Sequence, residues 1–136
     1  MAHWLMKSEP DVFSIDDLRR KGVAGWDGVR NYQARKNLRA MKKGDTALFF
    51  HSSTNPLAIV GLMDIVREAY PDSTAEKPGW VQVDVRYQKT FAKPLVMPEI
   101  KKIPELQNMV LLKNTRLSVQ PITDAEWKAI LKVVDN

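Results

Sequence analysis

The chain has 136 residues and a formal net charge of +5 at pH 7, a balance that favours an anionic partner. It contains no cysteine, which excludes disulfides, thiol catalysis and thiolate metal sites. No apolar run approaches the length of a transmembrane helix, and the length suits one domain over residues 1–136. We therefore expect a cytoplasmic protein (nuclear if its source is a eukaryote) that does not bind membranes.

A short strand and a capped helix are the first predicted elements. His3–Lys7 alternates enough to form a strand. Ser14 and Asp17 have the spacing of a capping box, in which two side chains satisfy the free N–H groups at a helix start. A helix is therefore predicted from Ile15 to about Arg20, ending before a glycine.

A tryptophan bracketed by glycines then gives the first functional signal. Trp26 lies between Gly25 and Gly28, and glycine permits backbone conformations that other residues resist. A tryptophan in such a loop is expected to stand as a rigid wall rather than in the core. Asn31 is the predicted N-cap of the next helix, whose free N–H groups and positive dipole end point back toward this loop.

That helix is basic on its exposed faces. Six basic residues and no acidic one lie between Arg30 and Lys43. Ala34, Leu38 and Met41 recur at helical spacing and are predicted to face the core. An aromatic wall beside a basic helix suits a nucleotide within a nucleic acid. The alternative is an ordinary core tryptophan and a solvated helix face.

The middle of the chain predicts strands and polar loops. Thr46–His51 is a strongly apolar strand, followed by the polar loop Ser52–Pro56. Leu57–Val66 reads as a strand in which Gly61 marks a bulge or a close backbone approach. A polar surface loop is predicted over Tyr70–Gly79.

The C-terminal half completes the predicted sheet. Trp80–Lys89 alternates as a half-buried strand, and Phe91–Met97 is a second strand that its proline places at an edge or bulge. Short helical turns follow over Pro98–Met109, then a brief strand at Arg116–Val119. Thr123 begins the last helix with a second capping box. These elements predict an α+β domain of five to seven mostly antiparallel strands in a partly closed barrel, flanked by helices.

Five stretches together resemble the EVE domain family: Trp4–Leu18, Trp26–Asp45, Phe49–Ser53, Ala69–Asp72 and Arg116–Pro121. The resemblance covers almost the whole chain. It implies a PUA-like β-pseudo-barrel related to the YTH readers of methylated adenine in RNA. It also implies a pocket for a modified base, with modified cytosine in DNA as the usual ligand and a modified base in RNA as the alternative.

Carrying the family site over assigns a set of residues to the ligand. Trp26 would stack on the base, while main-chain groups near Gly28 and Asn31 would read the base edge with serine side chains. The ligand-binding set is Ser8, Trp26, Gly28, Val29, Asn31, Tyr32, His51, Ser52, Ser53, Arg116 and Ser118. The nucleic-acid backbone would meet Arg30, Arg35, Lys36 and Arg39.

Several of these residues have structural alternatives. Arg116 lies among apolar residues and would either hold a phosphate or a base carbonyl, or form an ion pair with Asp27 or Glu9. Ser52 and Ser53 are also residue types that commonly stabilise turns. His51 lies at the end of a predicted strand, where its ring would simply form a hydrogen bond within the protein. The other three tryptophans are assigned to packing: Trp4, Trp80 and Trp127.

The sequence thus predicts a non-enzymatic reader of a modified nucleobase, with no metal, cofactor or catalytic residue. The alternatives are a pocket for a free nucleoside or small metabolite, or a weak hydrolase acting on a flipped base through Asp27. We expect a monomer, and the resemblance is compatible with a functional association with restriction or RNA-modification systems. The loop at residues 73–79 is shorter than in many relatives, which predicts a weaker grip on the polynucleotide.

Overall fold

The computed structural model describes residues 1–134. The strands are β1 (His3–Ser8), β2 (Val23–Trp26), β3 (Thr46–His51), β4 (Ala58–Pro71), β5 (Val81–Val96) and β6 (Val119–Ile122). The helices are α1 (Ile15–Lys21), α2 (Tyr32–Ala40), α3 (Met97–Ile100), α4 (Val110–Lys113) and α5 (Asp124–Val134), with a 3-10 turn at Pro104–Leu106. None of the helices described is long and apolar enough to cross a membrane.

The six strands form one sheet in the order β2-β5-β4-β3-β1-β6. The pair β1–β3 is parallel, and every other neighbouring pair is antiparallel. This confirms the predicted α+β class with mostly antiparallel strands flanked by helices.

Each face of the sheet carries its own hydrophobic cluster. Side chains alternate across a strand, so Met6 and Phe49 enter one cluster while Leu5 and Phe50 enter the other. Helices α1 and α2 cover the first cluster, and α3, α4 and α5 cover the second. Strands β1 and β3 are therefore buried on both faces, which explains their continuous apolar sequences.

The prediction of a loop around Gly25 was wrong, because Val23–Trp26 is a strand. It pairs antiparallel with β5, and Trp26 lies opposite Val83. A four-residue segment with glycine at its third position has little strand propensity of its own. The open edge of β5 supplies the hydrogen bonds that hold it.

Strand boundaries also differ from the predictions near two prolines. Strand β5 is continuous, but β2 covers only its first part, so Pro94 lies at an open edge as predicted. The last strand is β6, not Arg116–Val119, and it includes Pro121. Because β6 is the outermost strand, the missing N–H of this proline costs the sheet no central ladder bond.

The helix starts follow the sequence closely. Ser14 and Asp17 form the predicted capping box, and the side chain of Asn31 caps α2 by accepting from the Ala34 N–H at 2.9 Å. Thr123 and Glu126 exchange the same pair of bonds before α5. These caps fix where α1 and α2 begin, and thereby the loops that precede them.

Candidate functional site

A cavity of about 410 Å³ opens between the end of β1, the α1 region and the loop from β2 to α2. Seven residues that sequence analysis assigned to the ligand or the backbone line it: Ser8, Trp26, Gly28, Val29, Arg30, Asn31 and Ser118. The remaining lining residues are Lys7, Val12, Phe13, Lys21, Ala24, Gly25 and Asp27. Half of the lining thus consists of residues that sequence analysis assigned to the ligand or the nucleic-acid backbone, and half does not.

Trp26 borders the cavity and also belongs to the core. Only 6% of the residue is exposed, and its ring packs edge-on against Phe49 at 5.3 Å and Phe13 at 6.3 Å between centroids. The prediction that it stands outside the core was wrong, because pairing of β2 with β5 directs the ring inward. Replacing Trp26 would therefore disturb folding and the cavity together.

Gly28 has a positive φ of 78°, the conformation for which glycine is favoured. Its N–H donates to Oδ2 of Asp72 at 2.8 Å. This N–H is thus already bonded within the protein, which removes it from the main-chain groups near Gly28 that were predicted to read a base edge.

Asp72 is the central residue that sequence analysis missed. Its side chain has no exposed surface, and its carboxylate accepts from Arg30 Nη1 at 3.0 Å, Thr74 N at 2.8 Å and Thr74 Oγ1 at 2.6 Å as well as from Gly28. Burial by itself would raise its pKa, but these hydrogen bonds outweigh burial and lower the pKa to about 2. The carboxylate therefore stays charged and ties residues 72–74 to the cavity loop.

The polar surface loop predicted over Tyr70–Gly79 is thus partly wrong. Strand β4 extends to Pro71, and Asp72 is buried. The position of Asp72 in the Ala69–Asp72 motif was a signal, but a lone aspartate after a proline also suits an ordinary turn.

Two arginines of α2 are engaged with the same loop. Arg35 Nη1 and Arg39 Nη2 both donate to the Gly79 carbonyl, at 3.1 and 2.9 Å. Lys36 is exposed, and no partner is recorded for it within residues 1–134. The basic face therefore combines residues that hold the loop with at least one cation directed only at solvent.

Tyr32 and Trp80 form a surface cluster outside the cavity. Tyr32 is 72% exposed, and its ring centroid lies 5.3 Å from that of the half-buried Trp80. The Arg35 guanidinium lies 4.9 Å from the Tyr32 ring and 4.7 Å from the Trp80 ring. The assignment of Trp80 to packing is therefore incomplete, whereas Trp4 and Trp127 are buried as predicted.

His51, Ser52 and Ser53 do not line the cavity. His51 Nε2 accepts from the Ile15 N–H at 3.1 Å, and burial lowers the pKa of His51 against an opposing effect of Asp16. This confirms the satisfied hydrogen-bonding role. Ser53 has a φ of 53° in an exposed turn, and the Ser52 N–H donates to the Ser8 carbonyl at 3.0 Å.

The predicted burial and ion pairing of Arg116 were wrong, whereas its contact with the ligand stays a prediction. Arg116 is exposed rather than semi-buried, it does not line the cavity, and the described part of the chain shows no ion pair to Asp27 or Glu9. Strand β6 begins three residues later than predicted, which leaves Arg116 in a turn.

The polar groups that remain available in the cavity are few. Ser8 Oγ donates to the Phe13 carbonyl at 2.7 Å, and Lys7 Nζ donates to the Thr115 carbonyl at 2.8 Å, while burial lowers the pKa of Lys7. Within residues 1–134, the Asp27 carboxylate and the Asn31 Nδ2 group have no recorded partner. Within the same residues, the Lys21 ammonium and the Ser118 hydroxyl, which also line the cavity, have no partner either, so the cavity presents free acceptors and free donors beside aromatic carbon.

Such a set is suited to binding a planar polar group. Among residues 1–134, no cluster of three or more metal-ligating side chains is present. His51 is outside the cavity, so Asp27 has no histidine beside it to form an acid–base pair.

Comparison with known proteins places these features in context. The EVE domain family model matches residues 2–133. Human thymocyte nuclear protein 1 is 40% identical over an alignment that covers 97% of this chain and 73% of the human protein. That alignment spans 165 positions, more than this chain has residues, so the human protein carries residues that this chain lacks.

Two solved structures share the fold. Human THYN1, solved in complex with DNA containing 5-methylcytosine, is 40% identical, with a TM-score of 0.94 over 100% of this chain and 99% of that chain. The YTH domain of Mmi1 is 12% identical, with a TM-score of 0.60 over 98% of this chain and 75% of that chain. The second likeness confirms the fold relationship to YTH domains that the sequence implied.

Proposed function

The chain belongs to the EVE domain family, and on that premise we propose that it is a non-enzymatic reader that binds DNA carrying 5-methylcytosine. One observation carries the proposal: a relative 40% identical over the full length of this chain was solved with such DNA. The cavity beside Trp26 is the proposed base site. Its volume of about 410 Å³ lies in the usual range for small-ligand pockets.

The chemistry of the cavity fits a methylated cytosine. The apolar surfaces of Trp26, Phe13 and Val12 offer contact to the ring and to its 5-methyl group. Cytosine presents an exocyclic amine that acidic side chains accept from. We assign this role to the free carboxylate of Asp27, and assign the free Nδ2 group of Asn31 to a carbonyl or ring nitrogen of the base.

The test is a binding comparison of DNA strands that differ only in one 5-methyl group, each as duplex and as single strand, with matched RNA strands. We expect the methylated DNA to bind more tightly than its unmethylated counterpart. Equal affinities would contradict the reader proposal, and a preference confined to RNA would overturn the choice of DNA.

Asp27→Ala tests the assigned hydrogen bond. Loss of one buried hydrogen bond to the base should weaken binding of methylated DNA by about tenfold and should also reduce discrimination against thymine at the same position. The matched control is Glu105→Ala. Glu105 is exposed and lies in the 3-10 turn Pro104–Leu106, on the face of the sheet opposite the cavity. Unchanged affinity in the Asp27 variant would remove this residue from the site.

The same assay separates the two alternatives. Tight binding of free 5-methyldeoxycytidine without any gain from a longer strand would favour a nucleoside pocket. Release or alteration of the base during incubation would favour a hydrolase, and Asp27→Ala should then abolish that reaction.

A further inference from the structure

A second cavity of about 350 Å³ lies beside the proposed base site. Arg30 lines both cavities, so the two are neighbours on either side of one residue's atoms. The second cavity is otherwise lined by Thr74, Glu76, Lys77 and Trp80. Its aromatic wall belongs to the Tyr32–Trp80 cluster described above.

The exposure of Tyr32 calls for an explanation. A ring 72% exposed on the surface of a soluble protein loses apolar contact with the core, yet it lies at the first position of α2, directly after the cavity loop. Its hydroxyl has no recorded hydrogen-bond partner within residues 1–134. An open aromatic face is what a stacking base needs, since base–aromatic stacking tolerates any base.

The cluster is also held in a fixed geometry. Arg35 lies against both rings and donates to the Gly79 carbonyl at 3.1 Å. Arg30 lies 5.7 Å from the Trp80 ring and is anchored by Asp72 at 3.0 Å and by Thr74 Oγ1 at 3.1 Å. A platform whose side chains are fixed in advance loses little conformational entropy on binding.

The charge of this surface favours phosphate. Arg30, Arg35 and Lys77 stand around the rings, and the buried carboxylate of Asp72 is already satisfied by its hydrogen bonds. Glu76 is the opposing charge in the lining of the second cavity. A base that stacks beside several cations can place its own phosphate near them without leaving the ring.

We propose that Tyr32 and Trp80, with Arg30 and Lys77, form a second nucleotide site, which binds the nucleotide adjacent in the strand to the base held beside Trp26. The flanking base stacks on the open face of Tyr32, and its phosphate contacts Lys77 and Arg30. This inference rests on the proposed function, because the first cavity must hold a base of the same strand. It predicts that affinity depends on strand length. It also predicts that this second nucleotide site, called the platform below, does not distinguish methylated from plain cytosine.

The experiment compares Tyr32→Ala with the conservative Tyr32→Phe on three probes: 5-methyl-dCMP, and a methylated and a plain trinucleotide with the cytosine in the middle. Tyr32→Ala should weaken both trinucleotides by about five- to a hundredfold, the range for loss of one stacked base, and leave 5-methyl-dCMP unchanged. Tyr32→Phe should restore the wild-type affinities because the ring remains. Tyr32 is exposed, so the melting temperature should not change.

A 2-aminopurine placed next to the methylated cytosine reports stacking directly. Its fluorescence should be quenched by the wild type and by Tyr32→Phe, but not by Tyr32→Ala. Lys77→Ala should reduce the slope of log K against log salt for trinucleotide binding by about the value of one phosphate contact. Lys101→Ala, which changes an exposed lysine directly after α3, should leave that slope unchanged.

The two proposals fail in different ways. If the wild type prefers methylated strands but Tyr32→Ala binds them like the wild type and the fluorescence stays quenched, the platform is overturned and the reader stands. If Tyr32→Ala loses affinity and quenching for strands that the wild type binds without regard to methylation, the platform stands and the reader proposal fails.

Discussion

At the scale of single residues, the site depends on side chains whose partners are far away in sequence. Asp72 meets Gly28 and Arg30 across more than 40 positions. Asp72 directly follows β4 and accepts four hydrogen bonds. The local sequence around it is the same as that of an aspartate in a solvated turn, so the sequence alone does not distinguish the two. Asn31, by contrast, was predictable because an N-cap bonds within its own helix.

Asp72→Asn should reveal this carboxylate as a pH-dependent source of stability. Because the folded-state pKa is lowered to about 2 from 3.8, the stabilisation is fully present above pH 3.8 and is lost as the pH falls toward 2. The shift corresponds to about 2 kcal/mol. In urea unfolding, the variant should therefore have a free energy of unfolding lower than the wild type's by about that amount at pH 7. This difference should shrink as the pH falls from about 4 to 2.

The control is Asp11→Asn, an exposed aspartate before α1 that has no recorded partner in the described chain. Its free energy of unfolding should equal that of the wild type at pH 7 and near pH 2. A constant gap for Asp72→Asn at every pH would show that the amide is poorly accommodated for reasons other than charge.

At the scale of elements, the sequence predicted most helices and strands because their signals are local. Capping boxes fixed α1 and α5, and alternation identified most of β5. Strand β2 was missed because its pairing partner lies about 60 residues later. The same error misplaced Trp26, since a tryptophan in a loop and one in an edge strand differ in which way the ring points.

Glycine substitutions should separate close packing from backbone conformation within these elements. A Cβ at Gly61 in β4 would lie 2.6 Å from the Ile15 side chain and 2.7 Å from the Lys89 carbonyl oxygen. A Cβ at Gly28 would meet open space, but its φ of 78° strains an L-residue by about 1–2 kcal/mol. Gly61→Ala should therefore lower the free energy of unfolding by about 3 kcal/mol in total, more than Gly28→Ala does. The reason is that the Lys89 carbonyl oxygen belongs to the backbone and cannot move aside at low cost.

Denaturant unfolding of the two variants is the measurement. Adding Ile15→Ala to Gly61→Ala removes one of the two clashes, but it also empties part of the core beside α1. The double variant should therefore be less destabilised than the sum of its parts. Equal stability of Gly61→Ala and Gly28→Ala would mean that β4 shifts readily at this position.

At the scale of the whole molecule, the candidate site lies on one face of the sheet. The cluster under α1 and α2 includes Trp26 and Val29 from the wall of the first cavity, while the cluster under α3, α4 and α5 lies on the opposite face. The net charge of +5 is concentrated where the first face presents α2. The proposed affinity for any DNA and the proposed preference for a methylated base are therefore assigned to different parts of the same face.

This separation predicts how salt acts on binding. If Arg30, Lys36 and Lys77 each meet one phosphate, the slope of log K against log salt should be about −3 for a duplex. Methylated and plain DNA should lose affinity by the same factor between about 50 and 200 mM salt, so their ratio stays constant. The ratio depends on contacts inside the cavity, where mobile ions screen weakly. A titration series at several salt concentrations with both duplexes measures both quantities. A ratio that falls toward one as salt rises would place the discrimination on the charged surface instead of in the cavity beside Trp26.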